Sequence, residues 1–232
     1  VRRVELETEQ RKLYLAAVVD AREKLRAAKP EDKMTVFAVL MRLREICCDP
    51  RLVVDNWTGS SAKLEACIEL VTAAVEGGHR ILLFSQFTSM LELLAKRLDE
   101  AGVSHFTLQG STPKPVRAEQ VRRFNQGEAD VFLISLRAGG TGLNLTAADI
   151  VIHYDPWWNL AAQNQATDRA YRIGQRNPVQ VYRLIAQDTI EEKIVELQQA
   201  KQSLADTVTG GADGAILSMN PEQLLQLLGE EA

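Results

Sequence analysis

Cysteine and histidine are scarce in this chain, three of each in 232 residues. Cys47, Cys48 and Cys67 give no C-x-x-C spacing, and His79, His105 and His153 lie far from one another and from the cysteines. Metal-ligand clusters have characteristic spacings, so a structural metal site is not expected. The cysteines are expected as small core residues of a reduced, cytosolic protein. Long apolar runs are missing too. The longest, such as 81–84, are strand-sized and far short of the roughly 20 residues that cross a bilayer. The chain opens Val-Arg-Arg-Val, with neither a start methionine nor a signal-peptide pattern, and reads as a segment of a longer protein. One further absence bears on chemistry. No G-K-[ST] occurs anywhere, and no Asp-Glu pair follows a hydrophobic strand, so this chain alone is not expected to bind and hydrolyse a nucleotide.

What is present is globular. Hydrophobic residues at 46% and charged residues at 25% call for a sizeable core and argue against wholesale disorder. The net charge of −4 at first speaks against a polyanionic partner. Its distribution does not. Residues 187–232 carry nine acids against Lys193 and Lys201, a net of −7, which leaves +3 on the other 186 residues. A basic body with an acidic tail is compatible with phosphate binding.

The first 77 residues read as helices. Leu6, Leu13, Tyr14, Ala17, Val18, Ala21 and Leu25 recur at helical spacing until Pro30. Val36, Leu40, Leu43 and Ile46 form a second stripe, stopped by Asp49-Pro50, and a third from Leu64 to Val75 ends at Gly77-Gly78. From residue 79 short apolar runs alternate with amphipathic helices. Strands are expected at 81–84, 105–108, 131–135, 150–153 and 179–185. Helices are expected around 90–98, at 113–124 with Thr112 as N-cap, at 161–171, and after a capping box at 188–191. A short terminal helix is expected at 221–228. Near-continuous apolar strands separated by helices predict an α/β fold, a mostly parallel sheet covered on both faces and preceded by a helical lead-in. The expected segments are 1–77 (lead-in), 78–187 (sheet core) and 188–232 (helical extension with the acidic tail).

In an open α/β sheet, function collects in loops after the carboxyl ends of strands. Three such loops stand out. Ser85-Gln86-Phe87 offers hydroxyl and amide groups at a helix start, suited to a phosphate oxygen or to plain capping by Thr88. Gly110-Ser111-Thr112-Pro113-Lys114, backed by Arg117, Arg122 and Arg123, suits a backbone-phosphate cradle or a capped turn beside a solvated basic face. Ser135-Leu-Arg137-Ala-Gly139-Gly140-Thr141-Gly142-Leu-Asn144 places three glycines in four positions, where a backbone can bend sharply and approach a ligand closely. Beyond them, Gln165, Arg169 and Arg172 share one face of an expected helix, with Gly174 at its end. Two forked cations there suit charge developing on a transferring phosphate, or ordinary pairing with acids such as Asp168.

The order of these elements resembles the C-terminal lobe of superfamily-two helicases, specifically the Swi/Snf ATPases of bacterial and archaeal type. ILLFSQF at 81–87 is similar to the fourth motif, LQGSTPK followed by RRFN to the next, and SLRAGGTGLNL to the fifth. HYDPWWNLAAQNQATDRAYRIGQ resembles the segment running into the sixth, and MRLREICCDPRLV with SAKLEACIELV resembles the lead-in between lobes. The likeness spans about residues 6–200. Leu160 stands where the family usually has Pro, Arg137 where bacterial members often have Lys, and Tyr171 where His is commoner, so a histidine contact is not carried over to Tyr171.

The resemblance implies a RecA-like lobe that closes against an N-terminal lobe of the same polypeptide. That partner lobe would supply the P-loop, the Mg²⁺ ligand and the catalytic base, so ATP and Mg²⁺ would be shared and none held by this chain alone. Arg169 and Arg172 would be arginine fingers, with Gly142, Asn144 and Gln165 near the nucleotide. Ser85, Gln86, Phe87, Gly110, Ser111, Thr112, Lys114, Ser135, Arg137, Gly139, Gly140 and Thr141 would track the backbone of double-stranded DNA. A cytoplasmic, nucleoid-associated location follows from the same resemblance. Trp157-Trp158 is expected to pack in a core or lobe interface rather than to stack on bases. Two other readings stay open: an RNA-directed lobe of the same superfamily, and a non-catalytic RecA-like interaction module.

Overall fold

The computed structural model describes residues 1–136, 138, 143–157, 160–168, 178–205 and 219–229. They divide into two compact units. One comprises Val1–Arg2, Leu64–Trp157 and Ala161–Leu184, the other Arg3–Lys63, Trp158–Leu160 and Ile185–Ala232. Residues 3–63 of the helical lead-in share a unit with the C-terminal extension, whereas residues 64–77 fall in the other unit.

The unit that holds residues 3–63 is helical. Helix α1 (Thr8–Ala27) buries Gln10, Tyr14, Val18, Ala21 and Leu25, one face at helical spacing. Helix α2 (Lys33–Cys48) starts where the Asp32 side chain accepts from the Thr35 amide, and it ends before Asp49-Pro50 as expected. A 3₁₀ turn (Pro50–Leu52) follows, capped by Asp49 accepting from the Arg51 amide. The shared core holds Val36, Leu40, Leu43, Ile46, Cys47, Ile190, Ile194 and Leu224. Each fully buried aliphatic side chain there contributes about 1.5–3 kcal/mol. All three cysteines are buried thiols.

The other unit is built on the sheet, which runs in the order β1-β6-β5-β2-β4-β3 and is parallel. Its strands are β1 (Arg2–Val4), β2 (Ile81–Ser85), β3 (His105–Leu108), β4 (Val131–Ser135), β5 (Ile150–His153) and β6 (Gln180–Ala186). Strands β2, β4 and β5 are buried along their whole lengths, which is why each reads as a continuous apolar run. Strand β1 was not legible, because Arg-Arg-Val carries no period-2 pattern. Helices α3 (Ala62–Glu76), α4 (Thr88–Glu100), α5 (Lys114–Asn125) and α6 (Leu160–Thr167) connect the strands. Gly78 and Gly102 follow α3 and α4 at positive φ, the conformation that lets glycine end a helix.

Two capping expectations move. Helix α5 is entered through Pro113 without a side-chain cap, and the Thr112 hydroxyl instead accepts from the Gln109 amide at 3.0 Å. Helix α7 (Ile190–Ala205) is capped by Thr189, whose hydroxyl accepts from the Glu191 amide, while Glu192 accepts from the Asp188 amide. The expected capping box between Asp188 and Glu191 is replaced by these two bonds, which frees the Glu191 side chain for another partner. Helix α8 (Pro221–Leu227) opens with a capping box between Asn220 and Gln223.

Candidate functional site

Because the sheet is parallel, the carboxyl ends of all its strands lie along one edge. From β2 the chain goes out to β3 and β4 on one side, then crosses to β5 and β6 on the other. The β2–β5 pair is therefore the topological switch point, where a crevice opens between diverging connections. The loops that follow β2 and β5 begin there. Ser85 and Ser135, the last residues of β2 and β4, are register partners.

The carboxyl ends of β2, β4 and β5 are held by a buried polar network. Ser85 Oγ donates to Asp155 Oδ1 at 2.6 Å, and the same carboxylate oxygen accepts from the Gln86 amide at 3.3 Å. Ser85 Oγ also accepts from the Phe87 amide at 3.2 Å, closing a turn just before α4. The Ser85 carbonyl takes the Leu136 amide, and Ser135 Oγ accepts from the Ala138 amide. Just below, the His153 ring stacks on Phe84 with centroids 5.5 Å apart. Its Nε2 lies 2.9 Å from Thr167 Oγ1, which donates to the Gln163 carbonyl at 3.2 Å. A hydroxyl that already donates must accept from the ring, so Nε2 carries a proton, while Nδ1 has no partner among the described residues. Burial, followed by the neighbouring Arg183 charge, pushes His153 down to about 3. The Gln163 side chain in turn accepts from the Trp157 amide.

This geometry sorts the candidate residues. Ser85 is fully buried and Ser135 nearly so, and both hydroxyls are engaged within the chain, so they shape the loops rather than face a ligand. The DNA-backbone role expected of Ser85 and Ser135 would then fall to the loops that they hold. Phe87 is buried as well. Gln86 is half-buried, and its Nε2 is sheltered without a partner among the described residues. Gly110, Ser111 and Lys114 are exposed at the end of β3. The basic face behind them is smaller than expected. Arg122 pairs with Glu119, and Arg123 pairs with Glu128 while lying over the Phe106 ring. Asn144 and Gln165 are exposed. Trp157 packs against the sheet core. Arg137, Gly139, Gly140, Thr141, Gly142, Arg169 and Arg172 lie outside the described residues. Asp155, His153 and Thr167 were not singled out from sequence. The available signal was an acid two residues past a buried strand.

Among the described residues no cluster of His, Cys, Asp or Glu could hold a metal ion. The parallel sheet with helices between its strands is a RecA-like α/β fold, with its switch point between β2 and β5. The model of the helicase conserved C-terminal domain matches residues 62–174. A putative ATP-dependent helicase/translocase, YwqA of Bacillus subtilis, is 38% identical over 231 residues, covering 97% of this chain and 25% of the relative. The C-terminal domain of a Sulfolobus solfataricus SWI2/SNF2 ATPase superposes with a TM-score of 0.80 at 27% identity, covering 100% of this chain and 97% of that one. The ATPase core of a Sulfolobus solfataricus SWI2/SNF2 protein in complex with dsDNA gives 0.81 at 28% identity, covering 99% and 49%. The chain belongs to the helicase C-terminal domains of the SWI2/SNF2 family. It spans about a quarter or less of the length of the curated relatives it matches.

Proposed function

We propose that this chain is the second motor lobe of an ATP-dependent double-stranded-DNA translocase. The observation that carries this reading is that β2, β3, β4 and β5 deliver the motif loops to one edge of a parallel sheet. The Bacillus relative's name and the DNA-bound Sulfolobus core support it.

Gln86, Gly110, Ser111, Thr112 and Lys114 contact phosphates of a duplex without reading bases, together with Arg137, Gly139, Gly140 and Thr141. Phe87 supports that surface from beneath. Arg169 and Arg172 act as arginine fingers, and Gly142, Asn144 and Gln165 lie near the nucleotide. By residue type, the guanidiniums of Arg169 and Arg172 and the Gln165 side chain suit phosphate oxygens. ATP bound with Mg²⁺ on the N-terminal lobe supplies the free energy of the cycle, and this lobe's residues orient it and neutralise charge. Opening and closing of the two lobes then moves the chain along DNA. The setting is the cytoplasm, on the nucleoid.

The test is ATP hydrolysis by the full-length protein with duplex DNA, single-stranded DNA and RNA. Strong stimulation by duplex alone is expected. Equal or greater stimulation by RNA would replace this reading with the RNA-directed one.

A further inference from the structure

We infer that Asp155 is a positioning residue, a buried carboxylate that sets the duplex-facing loop after β2 from the opposite side of the switch point. The inference rests on the proposed function and adds a residue to it.

Asp155 is 1% exposed and follows β5, whereas Ser85 and Gln86 follow β2. One oxygen, Oδ1, collects both the Ser85 hydroxyl at 2.6 Å and the Gln86 amide at 3.3 Å. Hydrogen bonds to an ionised acceptor are about twice as strong as neutral ones, and burial raises their value further. The Ser85 oxygen passes the constraint on, because it accepts from the Phe87 amide just before α4. Three consecutive residues are thus fixed by one carboxylate from another strand. The half-buried Gln86 side chain sits on this fixed turn, its Nε2 sheltered and without a partner among the described residues.

A carboxylate beneath a phosphate-facing loop has two opposed effects. Its charge repels phosphate, so neutralising it would tighten DNA binding. Its hydrogen bonds hold the loop, so removing it would loosen binding. The charge is covered by its own donors and largely sequestered from solvent, and positioning should dominate. Three variants separate the two effects: D155N, D155A and S85A, with S85T as the conservative control that retains the hydroxyl.

The experiment uses the full-length protein. One readout is the duplex concentration giving half-maximal ATPase stimulation, taken beside the KM for ATP. The other is amide hydrogen exchange at residues 86–88. D155A and S85A should raise the half-saturating duplex concentration about tenfold and speed exchange at those amides, with the KM for ATP moving less than twofold. S85T should stay near wild type. Tighter duplex binding by D155N would show that charge, not position, is what Asp155 contributes, and would overturn the inference. Unchanged exchange at 86–88 would overturn it as well, and so would faster exchange with unmoved half-saturation. Failure of the wild-type enzyme to respond to duplex would sink the proposed function itself, a different result from any of these.

Discussion

Both carboxylate oxygens of Glu191 lie 2.8 Å from the Lys63 ammonium, and solvent reaches neither side chain. Glu191 also accepts from the Ala186 amide at 2.8 Å, where β6 ends and α7 begins. The cap of α7 is what makes this possible, since Thr189 and Glu192 do the capping and leave Glu191 to turn inward. The pair is enclosed by further polar links: Gln10 to the Ile46 carbonyl, Ser61 to the Cys48 carbonyl, and Tyr14 Oη accepting from the Ile190 amide. Burial pushes the Tyr14 hydroxyl and the Cys47 thiol upward, so both stay neutral beside this charge.

Removing one member of such a pair leaves an unpaired charge in the interior. K63M should therefore cost about 3–5 kcal/mol. E191Q should also destabilise, and the double variant K63M/E191Q should recover much of the loss, because glutamine still accepts from the Ala186 amide. Urea unfolding of the four proteins measures the coupling. A K63M protein as stable as wild type would mean that the ammonium contributes nothing.

His153 makes a pH prediction with a definite sign. Its folded pKa, about 3, lies below the ordinary value of 6.5. The unfolded chain therefore binds the extra proton first as acid is added. The stabilisation is fully present above about pH 6.5 and is lost as the pH falls towards 3. Substituting His153 with Gln, which cannot titrate, should flatten the acid limb of stability between pH 6.5 and 4 relative to wild type. Parallel curves for the two proteins over that range would show that the ring is protonated in the folded state.

Much of this was legible in the amino-acid order, for physical reasons that differ by element. Strands buried on both faces are apolar throughout, so β2, β4 and β5 announced themselves, and Asp49-Pro50 and Gly77-Gly78 stopped helices where a lost donor or a left-handed turn requires. Strand β1 gave no such signal, since three residues outside a core need no pattern. The candidate loops were found by composition, but composition does not say which polar atoms point inward. Ser85 looked like a ligand contact and is an internal donor to Asp155, a partner 70 residues away. Pairings at that separation follow from the register of β2 and β5 and from nothing local.

The isolated 232-residue chain should bind duplex DNA weakly, without sequence preference and with steep salt dependence. Its exposed candidates, Gly110, Ser111 and Lys114, address phosphates rather than base edges. Each phosphate neutralised adds about 0.9 to the slope of log affinity against log salt. Titration of two unrelated duplexes at two salt concentrations is the measurement. Affinity indifferent to salt, or a clear preference for one sequence, would remove these loops from the DNA surface. The same preparation should hydrolyse no ATP above background, because the chain contains no G-K-[ST] to cradle phosphates.

The sharpest prediction concerns Arg169 and Arg172 in the full-length enzyme. Replacing either by Ala should cut duplex-stimulated kcat far more than it weakens ATP binding. An arginine finger stabilises charge that develops only in the transition state, so its loss appears in turnover, by about 10³–10⁵-fold where one finger carries the role. Two fingers sharing the load would each show less, and the double variant would show the full effect. Lysine should rescue poorly, since a point charge cannot make the forked contact to two phosphate oxygens. The motivating observation is the spacing Gln165-x-x-x-Arg169-x-x-Arg172, which continues in sequence from α6. Single-turnover hydrolysis beside nucleotide-binding titrations separates the two effects. Near wild-type turnover by both alanine variants would assign these arginines to structural ion pairing, and the transition-state role would then fall to residues of the other lobe.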